Sequence, residues 1–370
     1  MTAQAGKGKI AGMAGPFIPG LQLAGAFYTE VVRPLLEDAY PDMAYSAALL
    51  GWGSEVLGFD SQRSTDHNWG PRLQVFLATD TGAAPGEIAA MLAQQLPAAF
   101  RGYPTVFSDT HDPGGTARHW VQVTRLRSWL EGQLGFDPTR PVSLLDWLAT
   151  PSQRLAEVTA GAVFHDGLGE LGQARARLAW YPRDVWLYVL ECQWQRISQE
   201  EAFPGRCSEA GDELGSAIVT ARLARDLMRL CLLMTRRYPP YSKWLGTAFA
   251  QLPETFEIAP LLTAAVAAQD WRTREQHLCR AYELAATLHN ELGLTPLVEP
   301  KTRPYYDRPY QVLDASRIAA ALREGITDQQ IRQLQPIGAI DQFIDSTDAL
   351  GNIQILRATT RAALQPTPFN

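Results

Sequence analysis

Hydrophobic and polar positions change their period part-way along the chain. Up to about residue 145, short apolar or alternating runs of strand length (Tyr45–Leu50, Leu73–Ala78, His119–Thr124) are interleaved with segments of helical spacing. The helical segments are Leu21–Leu36, with Pro34 near its end, Ala84–Phe100, begun by Pro85, and Leu126–Leu134. From Pro151 onward the strand pattern vanishes and helical runs follow one another: Gln153–Ala162, Leu171–Trp180, Pro182–Glu201, Gly211–Arg237, Trp244–Gln251, Ile258–Ala268 and Trp271–Glu291. The pattern predicts an α+β protein in which an α/β domain with a small mixed sheet precedes an all-helical bundle. The expected boundaries are a flexible Gly/Ala/Lys-rich leader at 1–17, the α/β domain at 18–148, the helical domain at 149–325 and a helical extension at 326–370.

The most distinctive local pattern lies between the first two strands. The apolar run ending at Leu50 meets Gly51-Trp52-Gly53-Ser54, where glycines permit a sharp turn and a close approach of backbone to ligand. A turn of this kind, opening into a helical segment from Glu55, would present free N–H groups and the Ser54 hydroxyl to a phosphate. Asp66, His67 and Asn68 follow, just before the second strand. If the segment is extended, residues 66 and 68 share a face while His67 points away, and carboxylates at that spacing would clamp a divalent cation. The second position here is an amide. The loop Ser108–Arg118, SDTHDPGGTAR, has turn chemistry and reads as mobile.

This arrangement resembles the nucleotidyltransferase superfamily, the polymerase-beta-like fold marked by Gly-Ser, a gap of about ten residues and Asp-x-Asp. More closely it is similar to the DUF4037 family. The blocks carrying that similarity are GSEVLGFDSQRSTDHNWGP (Gly53–Pro71), EVTAGAVFHDGLGEL (Glu157–Leu171), GDELGS (Gly211–Ser216) and YPPYSKWLGTAFAQL (Tyr238–Leu252), within a span of roughly 18–320. The resemblance implies a nucleotidyltransferase-like first domain that binds ATP or another nucleoside triphosphate with Mg²⁺ and acts on a small-molecule acceptor. It implies a phosphate turn at Gly53 and Ser54, a metal-holding hook at Asp66 and Asn68, and a third acidic position on the neighbouring strand, where Gln122 is the inward polar residue. Ser64 resembles the hydroxyl that often precedes the hook, displaced by one residue, and Arg63 is placed to meet a phosphate. By analogy with two-domain relatives, Lys243 in its Tyr-Pro-Pro-Tyr-Ser turn would hold a triphosphate.

Asn68 and Gln122 depart from the superfamily pattern. An amide oxygen is a weak neutral ligand, so Asp66 with Asn68 makes a weakened Mg²⁺ site without a carboxylate base. Either the transfer chemistry is lost or it has moved, and Glu213 and then Glu191 are the first suspects for a relocated base. Asp212 and Glu213, with Arg206, Arg222 and Arg225, also read as a paired network inside the helical bundle. Asp166 reads as a cap and His289 as a residue favoured at a helix C-terminus.

Composition narrows the partners. A net charge of -6 in 370 residues argues against general nucleic-acid binding, and no apolar run approaches a membrane span, so the expectation is a cytoplasmic protein with a small-molecule substrate. Apolar helix faces would serve a homodimer. Cys192, Cys207, Cys231 and Cys279 form no Cys-x-x-Cys pair and read as core thiols. Two classes stay open: a nucleotidyltransferase-like enzyme with an altered metal site, or a catalytically inactive relative that binds nucleotide, a metabolite or a partner.

Overall fold

The computed structural model describes residues 16–66, 68–78, 84–107 and 117–364, in two compact units: residues up to 141 with 154–179, and residues 142–153 with 180 onward. The expected leader, save its last residues, His67 and most of the loop 108–118 lie outside the described residues.

In the first unit, strands β1 (Tyr45–Leu49), β2 (Arg72–Leu77), β3 (Ala99–Phe100), β4 (Tyr103–Pro104), β5 (Val106–Phe107), β6 (Arg118–Arg125) and β7 (Ala162–Asp166) are formed. Five of them make a mixed sheet in the order β5-β6-β2-β1-β7. β1 runs antiparallel to β2, with Ala47 opposite Val75, whereas β6 runs parallel to β2, with Leu73 beside Val121 and Gln74 beside Gln122. Helices α1 (Gly20–Phe27), α2 (Arg33–Ala39) and α3 (Pro85–Gln95) cover one face. Leu23, Phe27, Leu36, Ile88 and Leu92 meet Ala47, Leu73, Val75, Leu77 and Val121 there, each large side chain contributing about 1.5–3 kcal/mol of burial. α1 and α2 are joined by a single π turn, Tyr28–Val32, just ahead of Pro34. The widened turn accommodates a proline that has no N–H to give the ladder.

The alternation of β2 and β6 sends Arg72, Gln74 and Phe76, with Trp120, Gln122 and Thr124, to the opposite face. Helix α4 (Leu126–Leu134) covers part of it, Trp129 meeting Phe76 edge-on at 5.2 Å.

Two expectations for this unit are corrected. Strands do not end at residue 151: Ala162–Asp166 returns as β7 beside β1, paired antiparallel with a register shift at Ala47/Ala48. It is reached through Gly161, whose φ of +69° and contact with Leu49 leave no room for a Cβ. Nor is there a helix from Glu55. Residues 54–58 form turns, and the Glu55 side chain is drawn into the core.

The second unit is helical apart from the two-residue hairpin Arg303–Pro304 with Gln311–Val312. The helix Arg183–Glu200 buries Tyr188, Leu190, Trp194 and Ile197; Glu213–Met234 and Ser316–Glu324 pack along it, and Trp271–Glu291 packs on Glu213–Met234 and meets Trp194 through His289. One buried polar cluster lies inside: Ser152 Oγ donates to Asp341, which also accepts from Arg229 Nη2 at 3.0 Å. Cys192 and Cys231 are buried free thiols, and Cys207 and Cys279 are half-buried and also free. No helix among the described residues is long and apolar enough to cross a membrane.

Candidate functional site

The turn between β1 and β2 is held from below by β2. Gln74 gives its amide to Leu50 twice, accepting from Leu50 N–H at 3.0 Å and donating to Leu50 O at 3.1 Å. Arg72 donates through Nε and Nη2 to one oxygen of Glu55, each at 2.7 Å, and through Nη2 to the Trp52 carbonyl at 2.5 Å. Both side chains of this ion pair are buried, Arg72 at 5% exposure and Glu55 at 2%. A buried charge persists only when paired and hydrogen-bonded, and this pair is both. Gly53, at φ +133°, lies directly over it, where a Cβ would collide with the Arg72 guanidinium and the Glu55 carboxylate. The N–H groups of Trp52, Gly53 and Ser54 and the Ser54 hydroxyl make no hydrogen bond to another described residue.

The hook is arranged differently from the extended segment expected. Asp66 ends a 3₁₀ turn, Gln62–Asp66, and Asn68 is left-handed at φ +52°, so neither belongs to a strand and the two do not share a strand face. Pro71, which lacks a ladder donor, and Gly70 at φ +155° keep β2 from extending back to them. Asp66 is exposed and Asn68 half-buried. Ser64 Oγ accepts from Ser61 N–H at 3.1 Å, which closes the turn, while Arg63 is exposed. Asp60 anchors this region to α1, accepting from Gly20 N–H at 2.7 Å and Trp69 Nε1 at 3.1 Å. A carboxylate at the first N–H of a helix is favoured by the orphan donors and dipole there.

Gln122 is exposed on the face opposite Val121 and beside Gln74. Arg72 neighbours Trp120 in the same register. Above them the Arg72 guanidinium lies 4.1 Å from the Trp52 ring centroid, Trp120 meets Trp52 edge-on at 6.3 Å, and Phe107 stacks on Trp120 at 4.2 Å. The strand face thus offers amides, an ion pair and aromatic rings. Among the described residues no group of three His, Cys, Asp or Glu side chains is placed to hold a metal ion.

Glu213 and Lys243 belong to the second unit. Glu213 opens the helix Glu213–Met234 and is tied down by Ser208 Oγ and by Arg274 Nη1, the latter at 2.6 Å. Those hydrogen bonds, Ser208's first, hold its carboxyl below the usual range. Arg274 also donates to Ser216 Oγ at 3.0 Å. Asp212 caps the same helix by accepting from Gly215 N–H at 2.7 Å, and Arg222 pairs instead with Glu200 at 2.9 Å. Lys243 is exposed, its Nζ 4.9 Å from the ring of Trp244. Glu191 is paired with Arg323 at 2.6 Å, yet burial outweighs that partner and pushes its carboxyl up to about 7. Asp166 accepts from Ser46 Oγ, Gly169 N–H and Gly172 N–H, a capping arrangement at the end of β7.

The Arg72–Glu55 pair and the aromatic group of Trp52, Trp120 and Phe107 were missed in the sequence. The available signal was the alternation of β2 itself, which sets Arg72 and Gln74 on one face.

Comparison with known proteins bears on a different stretch. Residues 147–245 match a family model described as Domain of unknown function (DUF4037). This part of the chain is DUF4037-like. The DUF4037 match contains the blocks Glu157–Leu171 and Gly211–Ser216 and the start of Tyr238–Leu252, while Gly53–Pro71 lies outside it. No curated protein matches the chain.

Proposed function

We propose that the first unit is a nucleotide-binding module of nucleotidyltransferase descent that takes ATP or another nucleoside triphosphate in the cytoplasm without two-metal transfer chemistry. The observation that carries this reading is the chemistry of the β2–β6 face beside the turn. Arg72 and Gln74 are buried on it and Gln122 is exposed, and the carboxylate bound there, Glu55, is consumed by Arg72. Two-metal catalysis needs several converging carboxylates, and one exposed Asp66 does not supply them. The nucleotide part of the reading is supported by the N–H groups of Trp52, Gly53 and Ser54, which make no hydrogen bond to another described residue and are donors that a phosphate oxygen can accept from. The order of an antiparallel β1–β2 pair around a Gly-Ser turn, followed by a parallel strand, is in keeping with the resemblance.

The test is pyrophosphate release from ATP with Mg²⁺ or Mn²⁺ across a panel of small hydroxyl and amine acceptors. The expected result is no release above the protein-free rate. Release that Asp66→Asn abolishes would overturn the non-catalytic reading and restore the transferase.

A further inference from the structure

Trp52 is a large aromatic side chain left 52% exposed at the tip of the turn, although its position is fixed from behind. The Arg72 guanidinium lies over its ring at 4.1 Å and Trp120 meets it edge-on, itself stacked on Phe107 at 4.2 Å. A lone exposed aromatic is ordinary on a protein surface. One backed by a buried ion pair and two further rings is a preorganised platform, because the rotamer entropy that binding would otherwise cost is already spent. Gln122 stands two residues from Trp120 on the same strand face, with its amide exposed. Gln74, its neighbour in the register, is by contrast fully engaged with Leu50.

We infer that this platform binds a nucleobase, stacked on Trp52 with its edge read by the Gln122 amide. Charge at the platform selects the ligand class. The Arg72 guanidinium covers one side of the Trp52 ring and is neutralised by Glu55, so the platform carries no net charge to draw an anion and no carboxylate free to partner a cation. A neutral planar heterocycle with a donor and an acceptor on its edge matches an aromatic ring beside a primary amide. The inference rests on the nucleotide reading above and adds the base as a source of affinity separate from the phosphates.

Calorimetric titration of ATP, adenosine and inorganic tripolyphosphate into the full chain tests it, repeated on Trp52→Ala, Trp52→Phe and Gln122→Ala. Loss of one stacking partner should weaken ATP and adenosine about tenfold or more. Tripolyphosphate should be unaffected in Trp52→Ala, Trp52→Phe should recover most of the affinity, and Gln122→Ala should weaken ATP and adenosine while leaving tripolyphosphate unchanged. ATP binding that Trp52→Ala leaves unchanged would overturn the inference while sparing the phosphate turn. Binding of adenosine but not tripolyphosphate, lost in Trp52→Ala, would uphold the platform and remove the turn from the account. Failure of all three ligands to bind the unaltered protein would overturn the nucleotide reading together with the inference.

Discussion

Removing either partner of the Arg72–Glu55 pair should be among the most damaging single changes in the first unit. Arg72→Met strands a carboxylate that is 2% exposed, and Glu55→Gln strands a guanidinium that is 5% exposed. Leaving one buried charge uncompensated costs about 3–5 kcal/mol. For a unit of this size each kcal/mol lowers Tm by about 2–4 °C, so a fall of about 6–20 °C is expected. Arg72→Met also deletes the bond to the Trp52 carbonyl and the guanidinium behind the Trp52 ring. Amides of the turn at 50–58 should then exchange faster with solvent. The double variant Glu55→Leu/Arg72→Met removes both charges and fills the space with apolar atoms, and should recover most of the loss. Thermal unfolding of the four proteins, with peptide-level hydrogen exchange over the turn, gives the cycle. Both single variants within about 1 kcal/mol of the parent protein would refute the reasoning.

His289 is fully buried, its Nε2 lies 3.1 Å from Thr295 Oγ1, and burial lowers its pKa from 6.5 to about 4. The folded state therefore prefers the neutral ring, and the stability this contributes is complete above pH 6.5 and lost as pH falls toward 4, by about 3 kcal/mol. Denaturant unfolding of the parent protein and of His289→Gln from pH 7.5 to 4 should show a decline that the variant largely lacks; parallel curves would remove His289 from the account. Arg274, 5% exposed, is the buried member of its pair with Glu213, so Arg274→Met should destabilise the second unit by a few kcal/mol (about 2–4). Glu213→Gln, by contrast, should leave nucleotide binding unchanged, because its carboxylate is engaged by Ser208 and Arg274 within the second unit. A binding or turnover defect in Glu213→Gln with normal stability would return Glu213 to the site.

Much of the framework was legible because local signals agreed with the fold. The apolar run at Tyr45, the alternation from Arg72 and the spacing of Leu126–Leu134 gave elements within a residue or two of those observed. The helices Arg183–Glu200, Ser242–Ala250, Ile258–Ala267 and Trp271–Glu291 followed from periodicity in the same way, whereas Glu213–Met234 ends three residues before the expected Arg237 and the short helix Phe203–Glu209 was not expected. β7 was not legible: Ala-Val-Phe-His-Asp is five residues between two helices, and its partner β1 lies more than a hundred residues upstream. The hook misled for a related reason. Asp66 and Asn68 have the spacing of a strand pair, but the Gly70-Pro71 break that follows, rather than the spacing, sets where β2 begins. Glu55 looked like the start of a helix because its real partner, Arg72, is found only once the hairpin closes.

The most direct measurement is the affinity of ATP for the full chain in Mg²⁺ and in EDTA, by calorimetry. The account predicts binding that changes by less than about threefold between the two, since the turn and platform supply the contacts and no carboxylate cluster among the described residues is placed for a metal. Binding that appears only with Mg²⁺, and is lost in Asp66→Asn, would contradict it and return the site to metal-dependent chemistry.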